Sequence, residues 1–138
     1  MSLEPTTAKL SVVHGDASKP LLDFTLSQVL DFQARRFGDK ECLIIPWTGA
    51  RWSYRRVQQE TRLVAKALLA HGIRPGDRCA IMAGNCEQYV SVFFACMRIG
   101  AILVILNNTY TSQEAQYALN FTSMSLQSDV ETIATKTC

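Results

Sequence analysis

One stretch of the sequence, residues 78–106, restricts the fold more than any other. Residues 78–82 are largely apolar, a short Gly-Asn turn follows, and residues 86–99 have the length and apolar content of a buried helix. Gly100 then stops the helix, and residues 101–106 are apolar at every position. This order predicts a right-handed βαβ unit, the building block of a parallel sheet. Because residues 101–106 show no polar alternation, we expect both faces of that strand to be covered.

Polar residues that can cap a helix stand before four helix-length segments. The side-chain oxygen of such a residue accepts a hydrogen bond from a free backbone N–H in the first turn. In three of the four cases a Gln or Glu three positions further on completes a capping box. The predicted caps and helices are Thr25 with residues 26–37, Ser53 with 54–71, Asn85 with 86–99 and Thr111 with 112–120. Between the first two helices, residues 41–46 and 51–52 flank a Thr-Gly turn and predict a small hairpin.

Together these segments predict an α/β fold, with a partial parallel sheet, flanking helices and a small N-terminal hairpin. The chain divides into three regions by composition. Residues 1–24 are polar and contain two prolines, which predicts an irregular leader, and residues 25–121 carry the helix and strand patterns. Residues 122–138 are rich in Ser and Thr and lack the β-branched apolar run that would complete another βαβ unit. We therefore expect a divergent polar tail there.

The composition excludes several classes of partner and site. The formal net charge is only +2, and no basic face interleaved with aromatics occurs, so we expect no nucleic-acid partner. The five cysteines are odd in number and include no CxxC pair, which predicts free thiols in a reduced compartment and no zinc site. Residues 89–106 approach the length of a membrane span, but Arg98 and Gly100 interrupt them. We expect two buried elements and no transmembrane segment, with a membrane-anchored peptide as a rival interpretation.

The sequence contains no recognisable catalytic motif. A Gly-Lys pair of a phosphate-binding loop is missing, as are GxGxxG, HExxH and GxSxG. Residues 82–85 lie between a predicted strand and a helix N-terminus, where anions can bind, but Glu87 in the first turn would repel a phosphate. The other polar candidates are assigned ordinary structural roles: His14, His71, Asp16, Asp23, Asp39 and Asp77. The aromatic candidates are expected to pack the hairpin and the core and to line no ligand site: Trp47, Trp52, Tyr54, Phe93 and Phe94. We predict no catalytic, cofactor-binding or metal-binding residue in this chain.

Four short segments form a series along the chain. They are RFGDKECLI at 36–44, RWSYRRV at 51–57, GDRCAIM at 76–82 followed by Asn85, and RIGAILV at 98–104 followed by NNTYT. In residue types, order and spacing they resemble the N-terminal part of the adenylate-forming acyl-CoA synthetases, over about residues 25–120. One departure is Arg56, which stands where that family usually has an acidic residue.

The resemblance implies an activity for the full-length family. Such enzymes activate a carboxylic acid with ATP and magnesium, form an acyl-adenylate and pass the acyl group to coenzyme A. Their phosphate-binding loop, their acidic ligands for magnesium and ribose, and their mobile C-terminal lysine all lie downstream of the matched region. The chain is therefore expected to be the truncated front of the large lobe, inactive alone and holding no cofactor itself. Whether it acts as an enzyme stays open, as does the acid substrate.

Other interpretations concern partners and location. A non-catalytic module that pairs with a full-length synthetase through an uncovered sheet edge is the alternative function, and self-association through the same edge is possible. No secretory signal is visible, which predicts a cytoplasmic location. A peroxisomal location is the alternative, since Lys9, Leu10 and Ala17 nearly match an N-terminal peroxisomal signal, but Asp16 departs from it.

Overall fold

A computed structural model of the chain describes residues 15, 16, 18 and 20–122. The elements, in chain order, are α1 Leu26–Phe37, β1 Glu41–Ile45, β2 Ala50–Ser53, α2 Tyr54–Ala70, β3 Arg78–Met82, α3 Glu87–Ile99, β4 Ile102–Leu106 and α4 Ser112–Phe121. The helices and strands follow the predicted order, so the α/β fold class is confirmed. Most of the predicted leader and all but the first residue of the predicted tail lie outside the described residues.

The predicted hairpin is present. Strands β1 and β2 pair antiparallel, with Ile45 opposite Ala50 and Ile44 opposite Arg51. The connecting turn places Gly49 at a φ of 72°, a left-handed conformation that suits glycine. Tyr54 and Arg55, at the start of α2, donate backbone hydrogen bonds to the Lys40 and Gly38 carbonyls, which fixes the hairpin against the helix.

The predicted βαβ unit is also confirmed. Strands β3 and β4 pair in parallel, from Arg78 opposite Ile102 to Met82 opposite Leu106, and α3 connects them. Gly100 ends α3 at a φ of 74°, and a Cβ placed there would lie 3.3 Å from Pro75. Glycine is therefore required at this position both by the backbone conformation and by the close approach of the Pro75 loop.

The covering of β4 differs from the prediction. Ile102 is 47% exposed and Ile105 is 59% exposed, so this apolar strand is not shielded on all sides. Helix α3 packs against β4, but within the described part of the chain the sheet has only two strands. A strand that is apolar at every position is typical of a sheet with helices packed on both faces. The described residues provide only part of that covering.

Two clusters of buried side chains form the core. One joins α2 to α3 and to the start of β4, and its buried members are Ala65, Leu68, Ala95, Cys96 and Ala101. The other joins α1 to α2 and β2, and its buried members are Leu30, Trp52 and Val57. Helix α2 has one buried stripe, formed by Val57, Thr61, Ala65 and Leu68. Helix α2 thus lies in both clusters and is the central element of the fold.

Three of the four predicted helix caps are confirmed. Thr25 and Thr111 form complete capping boxes, and the Ser53 hydroxyl accepts a hydrogen bond from the Arg56 backbone N–H. The prediction for Asn85 is wrong, because Cys86 is the N-cap of α3 and its side chain makes no capping hydrogen bond. The Trp47 indole N–H donates to the Asn85 carbonyl at 2.9 Å, and the helix begins one residue later than predicted.

Candidate functional site

The N-terminus of α3 is the place where a phosphate would most easily bind, and the structure fills it with a carboxylate. Glu87 lies in the first turn, and its carboxylate accepts a hydrogen bond from the Thr48 hydroxyl at 3.0 Å. A backbone N–H of the helix start lowers the pKa of Glu87, so this group carries a negative charge at neutral pH. That charge repels a phosphate. The described residues at this helix end therefore do not fit ATP, and we assign no catalytic step to them.

Trp47 corrects another prediction. It was expected to pack into the hairpin or the core, but it is 67% exposed and its indole N–H contacts the loop before α3. Trp52 does pack as predicted and is buried. Phe93 and Phe94 are half-buried, and the edge of one ring meets the face of the other with centroids 5.3 Å apart. These two rings therefore pack on each other.

Asp31 is the centre of the most developed polar cluster, and the sequence interpretation missed it. Its carboxylate accepts two hydrogen bonds from the Arg98 guanidinium, with Nη2 2.6 Å from Oδ1 and Nη1 3.1 Å from Oδ2. The Gln58 amide donates to the same carboxylate at 2.6 Å, and Arg62 approaches it at 3.5 Å. One carboxylate on α1 is therefore bonded to side chains of both α2 and α3, and we call these four residues the Asp31 cluster.

The Asp31 cluster is largely buried and links helices α1, α2 and α3. The Asp31 and Arg98 side chains are only 21% and 22% exposed. Hydrogen bonding from Arg98 lowers the pKa of Asp31, despite the opposing effect of burial. The Arg98 Nε atom is buried and has no partner among the described residues. The Arg98, Gln58 and Arg62 side chains thus hold the Asp31 carboxylate in its charged form between the helices, which favours a structural role over acid–base chemistry.

The other charged candidates also have ordinary local roles. Asp39 pairs with Arg55 at 3.2 Å on the surface, and the Asp77 carboxylate accepts the Arg74 backbone N–H at 2.6 Å. His71 is the exposed C-cap residue of α2, and its backbone N–H donates to the Ala67 carbonyl. The structure brings none of these three together. His14 lies outside the described residues.

The described cysteines are free thiols. Cys86 and Cys96 are buried, while Cys42 is exposed. Burial raises the pKa of Cys96 to about 12 and raises the pKa of its neighbour Cys79. Both thiols are therefore protonated at neutral pH, which argues against a nucleophilic role. Within residues 20–122, no group of three or more His, Cys, Asp or Glu side chains is arranged to hold a metal ion.

An apolar depression of about 590 Å³ lies between β4 and α4. We call it the β4–α4 groove. Its lining residues are Val104, Ile105, Leu106, Tyr110, Gln113, Glu114, Tyr117, Ala118, Phe121 and Thr122. Glu114 is the one charged side chain among them, and Thr111 occupies its carboxylate through backbone and hydroxyl hydrogen bonds. This groove suits an apolar occupant better than a nucleotide. No helix in the described part of the chain combines the length and the apolarity needed to cross a membrane.

Comparison with known proteins identifies the family. Residues 30–134 match the family of AMP-binding enzymes, and the chain belongs to that family. It is 57% identical over 117 residues to the acyl-CoA ligase sidI of Beauveria bassiana, an alignment that covers 85% of this chain and 20% of the relative. It is also 49% identical over 125 residues to the acyl-CoA ligase SID4 of Ajellomyces capsulatus, covering 91% of this chain and 21% of the relative. The chain thus spans about a fifth of the length of these curated relatives.

Solved structures show the same fold. The N-terminal subdomain of Klebsiella oxytoca NpsA superimposes with a TM-score of 0.65 at 23% identity, over 70% of this chain and 25% of that one. A fatty acyl CoA synthetase of Mycobacterium tuberculosis gives a TM-score of 0.66 at 24% identity, over 69% and 19%. The α/β arrangement described above is therefore that of the N-terminal subdomain of adenylate-forming enzymes, as the resemblance implied.

Proposed function

We propose that this chain supplies the front part of the N-terminal domain of an acyl-CoA ligase. The ligase reaction joins a carboxylic acid to coenzyme A through an acyl-adenylate made from ATP. One observation carries the proposal: the chain is 57% identical to an acyl-CoA ligase over 85% of its own length. In this role the chain provides scaffold. Helix α2 organises both core clusters, and the Asp31 cluster joins α1, α2 and α3.

The proposal has a second part, that the 138-residue chain alone forms no acyl-adenylate. Glu87 blocks the one helix N-terminus that best suits a phosphate, and the sequence has no phosphate-binding loop. ATP, magnesium and coenzyme A would then be held by other parts of a full-length ligase. The test is acid-dependent exchange of labelled pyrophosphate into ATP by the purified chain, with a panel of carboxylic acids. We expect no exchange above the protein-free background, and acid-dependent exchange would overturn this part.

The scaffold role is tested separately in a chimera. Residues 25–121 would replace the aligned segment in the acyl-CoA ligase sidI of Beauveria bassiana, and acyl-CoA formation would be measured with that ligase's own acid. We expect the chimera to keep activity, because the exchanged segment folds alike in both proteins. A chimera that is soluble and folded but inactive would contradict the scaffold role.

Two variants on helix α2 provide matched controls for the chimera. Val57→Asp places a charge in the core at a side chain that is 2% exposed, while Leu63→Asp changes a side chain that is 61% exposed. Because an unpaired buried charge is costly, Val57→Asp should abolish the activity of the chimera and Leu63→Asp should leave it near the level of the parent chimera. If Val57→Asp and Leu63→Asp reduced the activity equally, the activity of the chimera would not depend on the packing of the core around Val57.

We further propose a cytoplasmic location. The support is the set of four free cysteines in the described residues, since thiols persist in reducing compartments. A fluorescent protein fused to either end of the chain would test this location. Diffuse cytosolic signal is expected, and concentration of the signal in peroxisomes would replace the proposal with the peroxisomal alternative.

A further inference from the structure

A groove between α2 and the end of α3 combines positive charge with an apolar floor. On α2, Arg62 is followed at helical spacing by Ala65, Lys66 and Leu69, so all four lie on one face of the helix. The last turn of α3 and the Pro75 side chain form the opposite wall. The groove has a volume of about 320 Å³, and we call it the α2–α3 groove.

The floor of this groove is held in place by the core. Ala65 is 4% exposed and belongs to the buried cluster that joins α2 to α3, and Ile99 packs against the same cluster. Every lining residue lies between positions 62 and 99, well inside the described chain. The groove is at the opposite end of α3 from Glu87, roughly 18 Å away at 1.5 Å per residue. It is therefore a separate site from the helix N-terminus described above.

The charges around the groove do not cancel. Its charged lining residues are Arg62, Lys66 and Arg98, and all three are basic. The Asp31 carboxylate compensates one of them, since it bonds Arg98 at 2.6 Å and approaches Arg62 at 3.5 Å. Lys66 forms no ion pair with any acidic side chain of the described chain. The carbonyl ends of α2 and α3 each contribute roughly half a negative charge, which still leaves the groove positive.

The remaining lining adds apolar surface to that charge. Leu69 is 44% exposed, and the Pro75 ring is exposed beside it. A bare inorganic anion would leave these side chains in contact with water, whereas an apolar chain attached to the anion would cover them. Ligand cavities in proteins have volumes of roughly 300–1,000 Å³, so this groove suits a small molecule rather than a nucleotide or a folded partner.

We propose that the α2–α3 groove binds a small amphipathic anion, with a carboxylate or phosphate head on a short aliphatic chain. The head lies at the rim, where Lys66 and Arg62 donate charge-assisted hydrogen bonds to it. The chain lies along Ala65, Leu69 and Ile99. This site takes no part in the proposed ligase reaction, and the proposal does not depend on that reaction.

Titration calorimetry of the full 138-residue chain would test the proposal, with octanoate as the first probe and below its micelle concentration. Acetate carries the same head without the chain, and octanol carries the chain without the charge. We expect saturable one-to-one binding of octanoate, with acetate and octanol at least about tenfold weaker, because each lacks one of the two contacts. Octyl phosphate is the probe for the other head, and tighter binding of either anion would identify the head that the groove prefers.

Two charge reversals of the same residue type show whether the groove is the site. Lys66→Glu should raise the dissociation constant of octanoate at least about tenfold, because a repulsion replaces an attraction. Lys40→Glu is the matched control, since it changes the net charge equally. The Lys40 carbonyl bonds the Tyr54 N–H at the start of α2, roughly 18 Å along that helix from Lys66. This variant should bind octanoate like the wild type, and circular dichroism would show that both variants are folded.

A second pair of variants tests the apolar floor. Leu69→Ser removes part of the floor and should weaken octanoate binding, whereas Leu63→Ser changes an exposed leucine of the same helix outside the groove and should not. Backbone amide shifts on titration would locate the ligand, and we expect them around Leu69 and Ile99.

Four results would overturn the proposal. They are a wild-type chain that shows no saturable binding of octanoate or octyl phosphate, octanol binding as tight as that of octanoate, equal weakening by Lys66→Glu and Lys40→Glu, and amide shifts confined to the β4–α4 groove. None of these measurements uses ATP, so a failure here is distinguishable from a failure of the proposed ligase role.

Discussion

Replacing Asp31 by Asn is expected to destabilise the fold by about 2 kcal/mol, because this carboxylate holds three helices together. The change keeps the size and shape of the side chain and removes its charge. Two short hydrogen bonds from Arg98 and one from Gln58 then lose their charged acceptor. Hydrogen bonds to charged groups contribute roughly 1.5–3 kcal/mol, and breaking a fully buried ion pair costs roughly 3–5 kcal/mol. We take a value toward the lower end, because both side chains are still about one-fifth exposed.

A second ion pair in the same molecule provides the control. Arg51 and Glu41 also pair through two hydrogen bonds, at 2.7 and 2.6 Å. Their side chains are 58% and 45% exposed, however, so water and salt screen the interaction. Glu41→Gln makes the same chemical change as Asp31→Asn at nearly the same distances. It should leave the stability close to that of the wild type.

Urea unfolding followed by circular dichroism would measure both variants, at a protein concentration where the chain is monomeric. The expected result is a clearly lower unfolding midpoint for Asp31→Asn and a midpoint near that of the wild type for Glu41→Gln, with similar slopes for all three proteins. If both variants lost the same stability, burial would not be the factor that separates the two pairs. The interpretation that the Asp31 cluster stabilises the packing of the three helices would then be refuted.

Three further outcomes are expected. The pKa of Asp31 in the folded chain lies below its ordinary value of 3.8, so the stabilisation from its charged form is complete above that pH and is lost as the pH falls through the lower folded value. The stability advantage of the wild type over Asp31→Asn should therefore shrink below about pH 4, and acid titrations of both proteins would show this. Iodoacetamide at neutral pH should label Cys42 at least about tenfold faster than Cys96, because Cys42 is exposed while Cys96 is buried and its pKa is raised to about 12. Peptide mass spectrometry would measure the two labelling rates, and comparable rates would show that the described burial is wrong. Gly100→Ala should lower the melting temperature more than Gly49→Ala. Both positions have positive φ, which costs a residue with a Cβ roughly 1–2 kcal/mol, but only at Gly100 would the new Cβ also meet Pro75. Equal losses of melting temperature would exclude a role for that contact.

Local signals in the sequence predicted most of the secondary structure. Thr25 and Thr111 each form a capping box with residues three positions away, and Gly100 adopts the left-handed conformation that ends α3. These features depend on neighbours within one helical turn, so a linear sequence contains the information needed to predict them. The parallel pairing of β3 with β4 also followed, because a helix of that length between two apolar strands permits little else.

Features that depend on distant residues were missed or predicted wrongly. Asp31 and Arg98 are 67 positions apart, and no spacing rule links them. A signal did exist, since Arg98 is the one basic residue of the largely apolar helix α3, and a half-buried arginine is usually paired with an acidic side chain. The loop before α3 contacts Trp47, 38 positions away, through the Asn85 carbonyl, and the covering of β4 depends on which layers pack against it.

The bond between Asp31 and Arg98 has a consequence for the order of folding. During synthesis, α1 leaves the ribosome long before α3, because 67 positions separate the two charged partners. Until Arg98 emerges, the Asp31 carboxylate can remain hydrated at the surface of a nascent helix. Closure of this long loop costs chain entropy, so we expect the Arg98 bond to form after the nearer contacts of α1 with α2, in which Leu30 packs in one cluster with Val57 and Gln58 bonds Asp31.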